Sequence, residues 1–398
     1  MNANWLLRIA KYVSSLSDPL VQFTLQHTDS GTKARAGLLK TAHGEINTPA
    51  FMPVGTLGTV KALNARDVWE TGARIVLANA YHLYLRPGIE TVANAGGIHK
   101  FANWQGSVLT DSGGYQVYSL GDLRKITDEG VHYKSHLDGS AHFFTPEKVM
   151  DIERTIGADI IMAFDECPPS NAERDVVENA VRRTLAWAHR EAEHFAKTRP
   201  QHGYDQSLFL IVQGGVHRDL REACTRELLG LNSEGYAIGG LAVGEPNEVM
   251  YQVTDWTTDL LPAEKPRYLM GVGTPVDIVE SIARGVDMFD CVLPTRNARN
   301  GQLFTRDGKL NLRNAKWKRD FSPIDPETNS YASQNFSKAY LAHLFNSNEI
   351  LGLMLATMHN VAFYEQLVTE ARGHVLDGTF AEWKSAFVER YSRSKPKV

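Results

Sequence analysis

Three aspartates stand just past short apolar runs: Asp111 in "SVLTDSGG", Asp165 in "DIIMAFDE" and Asp290 in "VDMFDCVLPTR". A carboxylate can attack an anomeric carbon to give a sugar ester while another carboxyl group protonates the departing group, the division of labour in retaining glycosyl transfer. Asp290 suits the first task. Arg296 and Arg299 follow it closely enough to hold phosphates on either side of a sugar under attack, or to read a base edge. Asp111 is the best second acid. Ser112, Gly113 and Gly114 follow it, the glycines let a flat ligand approach the backbone, and Tyr115 adds an aromatic face. A lone Asp at such a turn also serves as a helix N-cap, and "TDSGG" by itself also describes a tight turn. Several acids ending separate strands argue for a shared site.

Asp165 and Gln213, the latter at the end of "LFLIVQGG", suit a different job. A purine such as guanine presents N1–H and an exocyclic amine as donors and O6 as acceptor, an edge matched by a carboxylate, a carboxamide and backbone N–H groups. The adjacent Glu166 opens a rival reading in which Asp165 and Glu166 form a hydrolase pair, but neighbouring strand residues point to opposite faces. Free cysteine behaves as a small buried hydrophobe, which places Cys291 in the core and Cys167 in a pocket wall.

The elements that must carry these residues are eight brief apolar runs: "AFMPVGT", "RIVLANAY", "SVLTDSGG", "DIIMAFDE", "LFLIVQGG", "YAIGGLAVGE", "RYLMGVG" and "VDMFDCVLPTR". Longer stretches with helical spacing separate many of them, such as "RDVVENAVRRTLAWAHREAEHF". Repeated βα units with about eight buried parallel strands predict an α/β fold of the TIM (β/α)8 barrel type. A doubly wound sheet is the competing architecture, and "PVGTLGTVKA" fits its GxGxxG turn poorly. In a barrel, function sits at the carboxyl ends of the strands, here Asn79, Asp111, Asp165, Gln213, Gly240 and Asp290. Two insertions read as hairpins, one turning at Asp138-Gly139 and the other at Asp307-Gly308. The second begins a basic track of Arg306, Lys309, Arg313, Lys316, Lys318 and Arg319, with Trp317 as a stacking surface. Its position after the Asp290 strand argues for RNA, against the alternative of a solvated charged hairpin. A C-terminal helical subdomain follows.

The chain has 398 residues, 43% of them hydrophobic, enough for one large barrel with a sizeable core. A formal net charge of -4 leaves nucleic-acid binding to local clustering. Three widely spaced cysteines, Cys167, Cys224 and Cys291, give neither a disulfide framework nor a CxxC pair. The opening "MNANWLLRIAKYVSSLSDP" reads as neither signal peptide nor membrane span, so a cytoplasmic protein with a short helical extension over 1–20 is expected.

In order along the chain, "TPAFMPVGTLGTVKAL", "NAYHLYLRPG", "LTDSGGYQV", "MAFDEC", "IVQGG", "GYAIGGLAVGE", "YLMGVGTP", "GVDMFDCVLPTRNARNGQLFT" and "NEILGLMLATMHN" resemble the bacterial queuine tRNA-ribosyltransferases, the tRNA-guanine transglycosylases. The resemblance implies a single barrel domain over 21–398 that exchanges guanine at the wobble position of GUN-anticodon tRNAs for a 7-deazaguanine, usually preQ1. It implies Asp290 as nucleophile and Asp111 as general acid/base. Asp165, Gln213, Gly240 and Leu241 would recognise the base, with Tyr115 packed on the heterocycle and Asn79 and Ser112 completing the substrate set. Cys167 and Val243 look like the pocket form that favours preQ1 over queuine. Arg296 and Arg299 match positions that contact the anticodon loop, and Lys316 and Lys318 extend them. A homodimer is implied, with Phe336, Tyr340 and His343 as a contact face, and no appended RNA-binding domain of the archaeal kind. One departure stands out. Relatives hold a structural zinc with CxCxxC and a later histidine, whereas the matching subdomain, 302–365, has Thr328, Ser330 and Ser333 with only His359 retained. Neutral hydroxyls are poor zinc ligands, so no metal or other cofactor is expected. The competing functions are a non-catalytic tRNA-binding subunit, which would be expected to lose the acids kept here, and an N-glycoside hydrolase that admits water.

Overall fold

The computed structural model describes residues 21–114, 123–231 and 233–393. Eight short parallel strands form its centre: β1 (Ala50–Pro53), β2 (Ile75–Asn79), β3 (Ser107–Asp111), β4 (Ile160–Met162), β5 (Ser207–Val212), β6 (Gly235–Ile238), β7 (Arg267–Leu269) and β8 (Met288–Cys291). From β2 to β8 each hydrogen-bonds to the next in chain order, and β8 pairs with β1. The remaining gap, between β1 and β2, is bridged at Val54 and Leu77, where the Gly55 N–H donates to the Leu77 carbonyl at 2.6 Å. The result is a closed TIM barrel, one strand from each of the eight apolar runs.

Alternation along the strands fills the barrel with Met52, Leu77, Leu109, Met162, Ile211, Tyr268 and Met288, all buried. The amino-terminal mouth is closed by an antiparallel sheet, Gln22–Thr28, Arg35–Thr41 and Gly44–Thr48, which the apolar runs gave no hint of. Its Leu39 and Ile46 join the interior cluster, and buried Arg35 grips Asp287, just before β8, with two 2.8 Å hydrogen bonds. At this end Asp159 accepts hydrogen bonds from His43 (2.7 Å) and the Val108 N–H (2.9 Å), with His99 at 3.2 Å. Among the described residues these three side chains are the one group whose donor atoms a metal ion could reach. The two imidazoles are stacked 3.5 Å apart and nearly parallel. Their in-plane lone pairs therefore run side by side rather than converge on one ion, and a hydrogen-bonded clasp accounts for the cluster. With that mouth plugged, the carboxyl end is the open one.

Helix Arg174–Lys197 packs one face on the barrel through Val177, Val181, Trp187 and Ala188, with Trp187 stacked on Phe164 at 5.0 Å. Glu166 turns outward to Arg183 on the same helix, away from Asp165, so the paired-acid hydrolase reading is not supported geometrically. No helix among the described residues is long and apolar enough to cross a membrane.

The first insertion turns at Asp138-Gly139 as expected, between Val131–Lys134 and Ala141–Phe144, with a third strand at Arg124–Ile126. The second differs by one residue. Thr305 pairs with Gly308, so the turn residues are Arg306 and Asp307, and Gly308 takes φ 99° on leaving the turn. Arg306 also leaves the basic track: it is buried and paired with Glu370, because the hairpin packs that face on helix Ile350–Leu376. The hairpin shares a second core with Ile324, Leu341, Leu344, Phe345 and Leu355. Helix Ile350–Leu376 spans both cores, since its later Phe363, Tyr364, Leu367 and Val368 belong to the barrel cluster.

Candidate active site

Asp290 lies on β8 two positions beyond Met288, the residue in register with Tyr268 on β7. Side chains two apart on a strand share a face, and a tyrosine is long enough to span the step. The Tyr268 hydroxyl donates to Asp290 Oδ1 at 2.6 Å and the Gly271 N–H donates to the same oxygen at 2.8 Å. Burial raises the Asp290 pKa, and these two donors oppose the rise. Burial, with Asp290 and Asp111 adding their charge, pushes the Tyr268 phenol well above its usual range, so it remains a donor. Both contacts use Oδ1, so among the described residues the other oxygen is the one left to form a new bond.

Asp111 ends β3 directly opposite Asn79 on β2. In-register parallel strands bring the two side chains together, and the Asn79 amide donates to Asp111 Oδ2. An amide here orients the carboxyl group without adding charge, so that Asp111 can give up and take back a proton.

The other half of the site lies past β4, β5 and β6. Gln213 is fully buried, and its amide donates to Asp165 Oδ2 at 2.6 Å. Burial lifts Asp165 to about 6 against that hydrogen bond, with Glu166 adding to the rise. The Gln213 amide thus favours the ionised, hydrogen-bond-accepting form of Asp165 against its burial. Gly114 and Gly240 approach so closely that a Cβ on the first would strike Asp165 and on the second Gln213, which explains glycine at both. Gly240 also takes φ 65°. Beyond it Ala242 takes φ 57°, unusual for a residue with a side chain, and is held by Glu245, whose carboxylate accepts from the Ala242 and Val243 N–H groups. This fixes the loop carrying Leu241 and Val243. Burial pushes the Cys167 thiol up to about 12, so it is an inert wall.

One cavity of about 540 Å3 gathers Asn79, Asp111, Ser112, Asp165, Cys167, Gln213, Gly240, Leu241, Val243 and Asp290. Arg296 and Arg299 sit at its edge on helix Leu293–Arg299, the first exposed and the second half-buried. Lys316 and Lys318 do not reach it. They are exposed on the 3-10 turn Ala315–Arg319, where Lys316 lies over the Trp317 ring at 4.3 Å. Tyr115 lies outside the described residues. Reading only strand ends missed Tyr268, Gly271, Glu245, Lys61 and His82. Of these, Tyr268 had a signal: a tyrosine inside a buried strand needs a partner for its hydroxyl.

In the 302–365 segment, Thr328, Ser330, Ser333 and His359 are all buried. The Thr328 hydroxyl donates to Asp325 Oδ2 at 2.8 Å, and Ser333 donates to the Asp325 carbonyl at 2.5 Å. His359 Nε2 lies 2.7 Å from the Phe304 carbonyl, which only accepts, so Nε2 carries the hydrogen and Nδ1 accepts from Ser330 at 3.2 Å. Burial lowers its pKa to about 4, against the Phe304 hydrogen bond and the charge of Asp325, so the ring is neutral at pH 7.

Residues 29–393 match the family described as "Queuine tRNA-ribosyltransferase". Proteins of that name are similar throughout. One from Pelotomaculum thermopropionicum is 52% identical over 93% of this chain and 99% of its own length. One from Desulforamulus reducens is 52% identical over 94% of this chain and 99% of its own. One from Symbiobacterium thermophilum is 53% identical over 93% of this chain and 92% of its own. With the match running from the capping sheet to the last helix, and the acids of three separate strands gathered in one cavity, the chain belongs to the queuine tRNA-ribosyltransferase family.

Proposed function

We propose that this tRNA-guanine transglycosylase exchanges guanine at the wobble position of GUN-anticodon tRNAs for a 7-deazaguanine, preQ1 before queuine, through a ribosyl ester on Asp290. The supporting observation is the division of one cavity into an Asp290–Tyr268 and Asp111–Asn79 side and an Asp165–Gln213–Gly240 side. In the first half-reaction the free oxygen of Asp290 attacks C1′ and the C1′–N9 bond breaks. Asp111 supplies the proton that the departing guanine takes up. In the second, the incoming base loses its N9 proton to Asp111, N9 attacks C1′, and the ester bond to Asp290 breaks, restoring both acids. Asp165 accepts from the N1–H and amine of the base, and the Gly240 N–H meets its carbonyl. Cys167 and Val243 line the wall beside the position-7 substituent, and Tyr115 covers the ring. Arg296 and Arg299 hold flanking phosphates, with Lys316 and Lys318 extending the contact along the anticodon arm.

The same reading takes 21–398 as one catalytic domain after a 1–20 extension, with 302–365 as a subdomain, and the working form as a cytoplasmic homodimer. The subdomain is metal-free in this proposal because its donor set does not fit zinc: three neutral hydroxyls already bonded, and a histidine whose two nitrogens are both engaged. Incubation with tRNA and labelled guanine tests the function. Label entering tRNA is the expected result. Guanine release without uptake would make the protein a hydrolase, and binding alone a non-catalytic subunit.

A further inference from the structure

Arg221 is fully buried on helix Arg218–Leu229, behind the floor of the cavity, and among the described residues it makes no ion pair. Its guanidinium instead donates to three backbone carbonyls: Nε to Gly215 at 2.7 Å, one terminal nitrogen to Val212 at 3.3 Å and the other to Gly239 at 2.8 Å. Burial pulls its pKa down to about 10, against the smaller opposing influence of Cys224, Cys167 and Glu245. A guanidinium in such a place is costly to keep, and what it holds is specific: the loops after β5 and β6 that carry Gln213 and Gly240. The fit is close on both sides. A Cβ on Gly214 would stand 2.7 Å from the Arg221 side chain, and Cys224, one turn along the same helix, accepts from the Gln213 N–H at 3.4 Å.

The Gly239 contact carries the most information. In a trans peptide the carbonyl and the following N–H point in opposite directions. With the Gly239 carbonyl turned back to Arg221, the Gly240 N–H is turned forward, toward Cys167 and the cavity both residues line. A peptide between two glycines is the easiest kind to flip, because neither residue has a Cβ to bar the reversed φ and ψ. A flipped peptide would put a carbonyl acceptor where the donor now stands. A Gly-Gly peptide, an intrinsically unconstrained kind of backbone, thus stands at the point where donor or acceptor decides which base edge fits.

We infer that Arg221 is a positioning residue for base selectivity: it locks the Gly239–Gly240 peptide so that the site presents an N–H, and so selects a base with a carbonyl rather than an amine at that edge. This inference rests on the purine-exchange reading of the cavity.

The test compares guanine with 2,6-diaminopurine, which carries an amine in place of the carbonyl and has no hydrogen on N1, as competitors of labelled guanine uptake into tRNA. The missing N1–H weakens the contact with Asp165 alike in every protein compared, so the change in preference between them reads the Gly239–Gly240 peptide. Wild type, Arg221→Met and Arg221→Lys are measured together. In Arg221→Met the preference for guanine over diaminopurine should fall by about tenfold or more, the scale of one mismatched buried donor. KM for tRNA should stay unchanged. Arg221→Lys, which keeps the charge but cannot reach all three carbonyls, should recover only part of the preference. If both inhibition constants rise in parallel in the variants, Arg221 is a brace with no part in selectivity and the inference falls. Loss of the native circular dichroism in both variants would likewise make Arg221 a brace of the fold and overturn the inference. No exchange by the wild type would overturn the proposed function itself, and with it this inference. Exchange by the wild type with unaltered selectivity in the variants overturns the inference alone.

Discussion

Tyr268, one strand over and two positions below Asp290, gives its hydroxyl hydrogen to Asp290 Oδ1 across 2.6 Å. Burial pushes the carboxyl group toward its neutral form, and this donor and the Gly271 N–H push it back. The tyrosine therefore keeps the proposed nucleophile ionised. In Tyr268→Phe the Asp290 pKa should rise, and the acid limb of the pH–rate profile should move to higher pH by about one unit. The loss of turnover should be largest on the acid side and smallest on the alkaline plateau. An acid limb that stays in place would remove Tyr268 from the chemistry.

Asp290→Asn should abolish base exchange and the trapped enzyme–RNA adduct while leaving tRNA binding largely intact, since the phosphate contacts proposed for Arg296 and Arg299 remain. Asp111→Asn keeps the nucleophile but removes the proton carrier, so exchange should fall by roughly a hundredfold or more. Gel analysis of denatured enzyme–RNA mixtures reads the adduct. Normal turnover in the Asp290 variant would sink the assignment.

Much of this site was legible because a parallel barrel makes a strand's last residue a site residue. Asn79, Asp111, Gln213 and Asp290 needed only the ends of apolar runs and the rule that ligands bind there. Their pairing was not legible: Asn79 meets Asp111 through strand register, which the runs do not specify. Tyr268 and Arg221 escaped for another reason. Each acts from a buried position through a partner distant in sequence, so its local pattern is that of ordinary core. The capping sheet was missed because a search for continuous apolar runs passes over it: "QFTLQHT" only alternates Phe23 and Leu25 with exposed polar residues, and "RAGLLKT", though largely buried, buries Arg35 and Thr41 along with its apolar residues. Arg306 misled because a basic run was read as one face, whereas this residue stands in the hairpin turn, where Glu370 of helix Ile350–Leu376 takes its guanidinium.

If Arg296 and Arg299 hold phosphates, tRNA affinity should fall as salt rises. Replacing either with Gln should lower the slope of log K against log salt by about one unit. Lys316 and Lys318, exposed but away from the cavity, should contribute to affinity without altering exchange at saturating tRNA. Binding titrations across a salt series give the slopes. A loss of anticodon selectivity at constant slope would mean that the arginines read bases instead.

Phe336 stacks on Tyr340 at 5.5 Å, and Tyr340 stands beside His343 at 6.5 Å, with Tyr340 and His343 exposed. Aromatic rings presented together this way favour burial against a partner. The protein should weigh as a homodimer at working concentration, and Tyr340→Ala should shift it toward monomer. A monomer mass for the wild type would reject the assembly, and an unshifted dimer in the variant would place the contact elsewhere.

The subdomain's hydrogen bonds make the strongest case about metal. Thr328 and Ser333 both bond Asp325, and Ser330 caps a short helix through the Ser333 N–H while giving its hydrogen to His359. The loop is thus tied by the very groups that stand where thiolates would bind an ion. Purified protein should carry zinc well below stoichiometric amounts, and chelation should change neither its melting temperature nor its exchange activity, because no proposed step uses a metal. The converse is also testable. Changing Thr328, Ser330 and Ser333 together to cysteine leaves His359 in place and creates the closed four-ligand set, since Ser330 no longer occupies Nδ1. That variant should take up stoichiometric zinc and melt at a higher temperature with the metal than without it. Stoichiometric zinc in the unaltered protein, lost together with activity on chelation, would overturn the metal-free reading. A cysteine variant that folds but binds no zinc would show that the loop geometry, and not only the donor chemistry, has departed from a metal site.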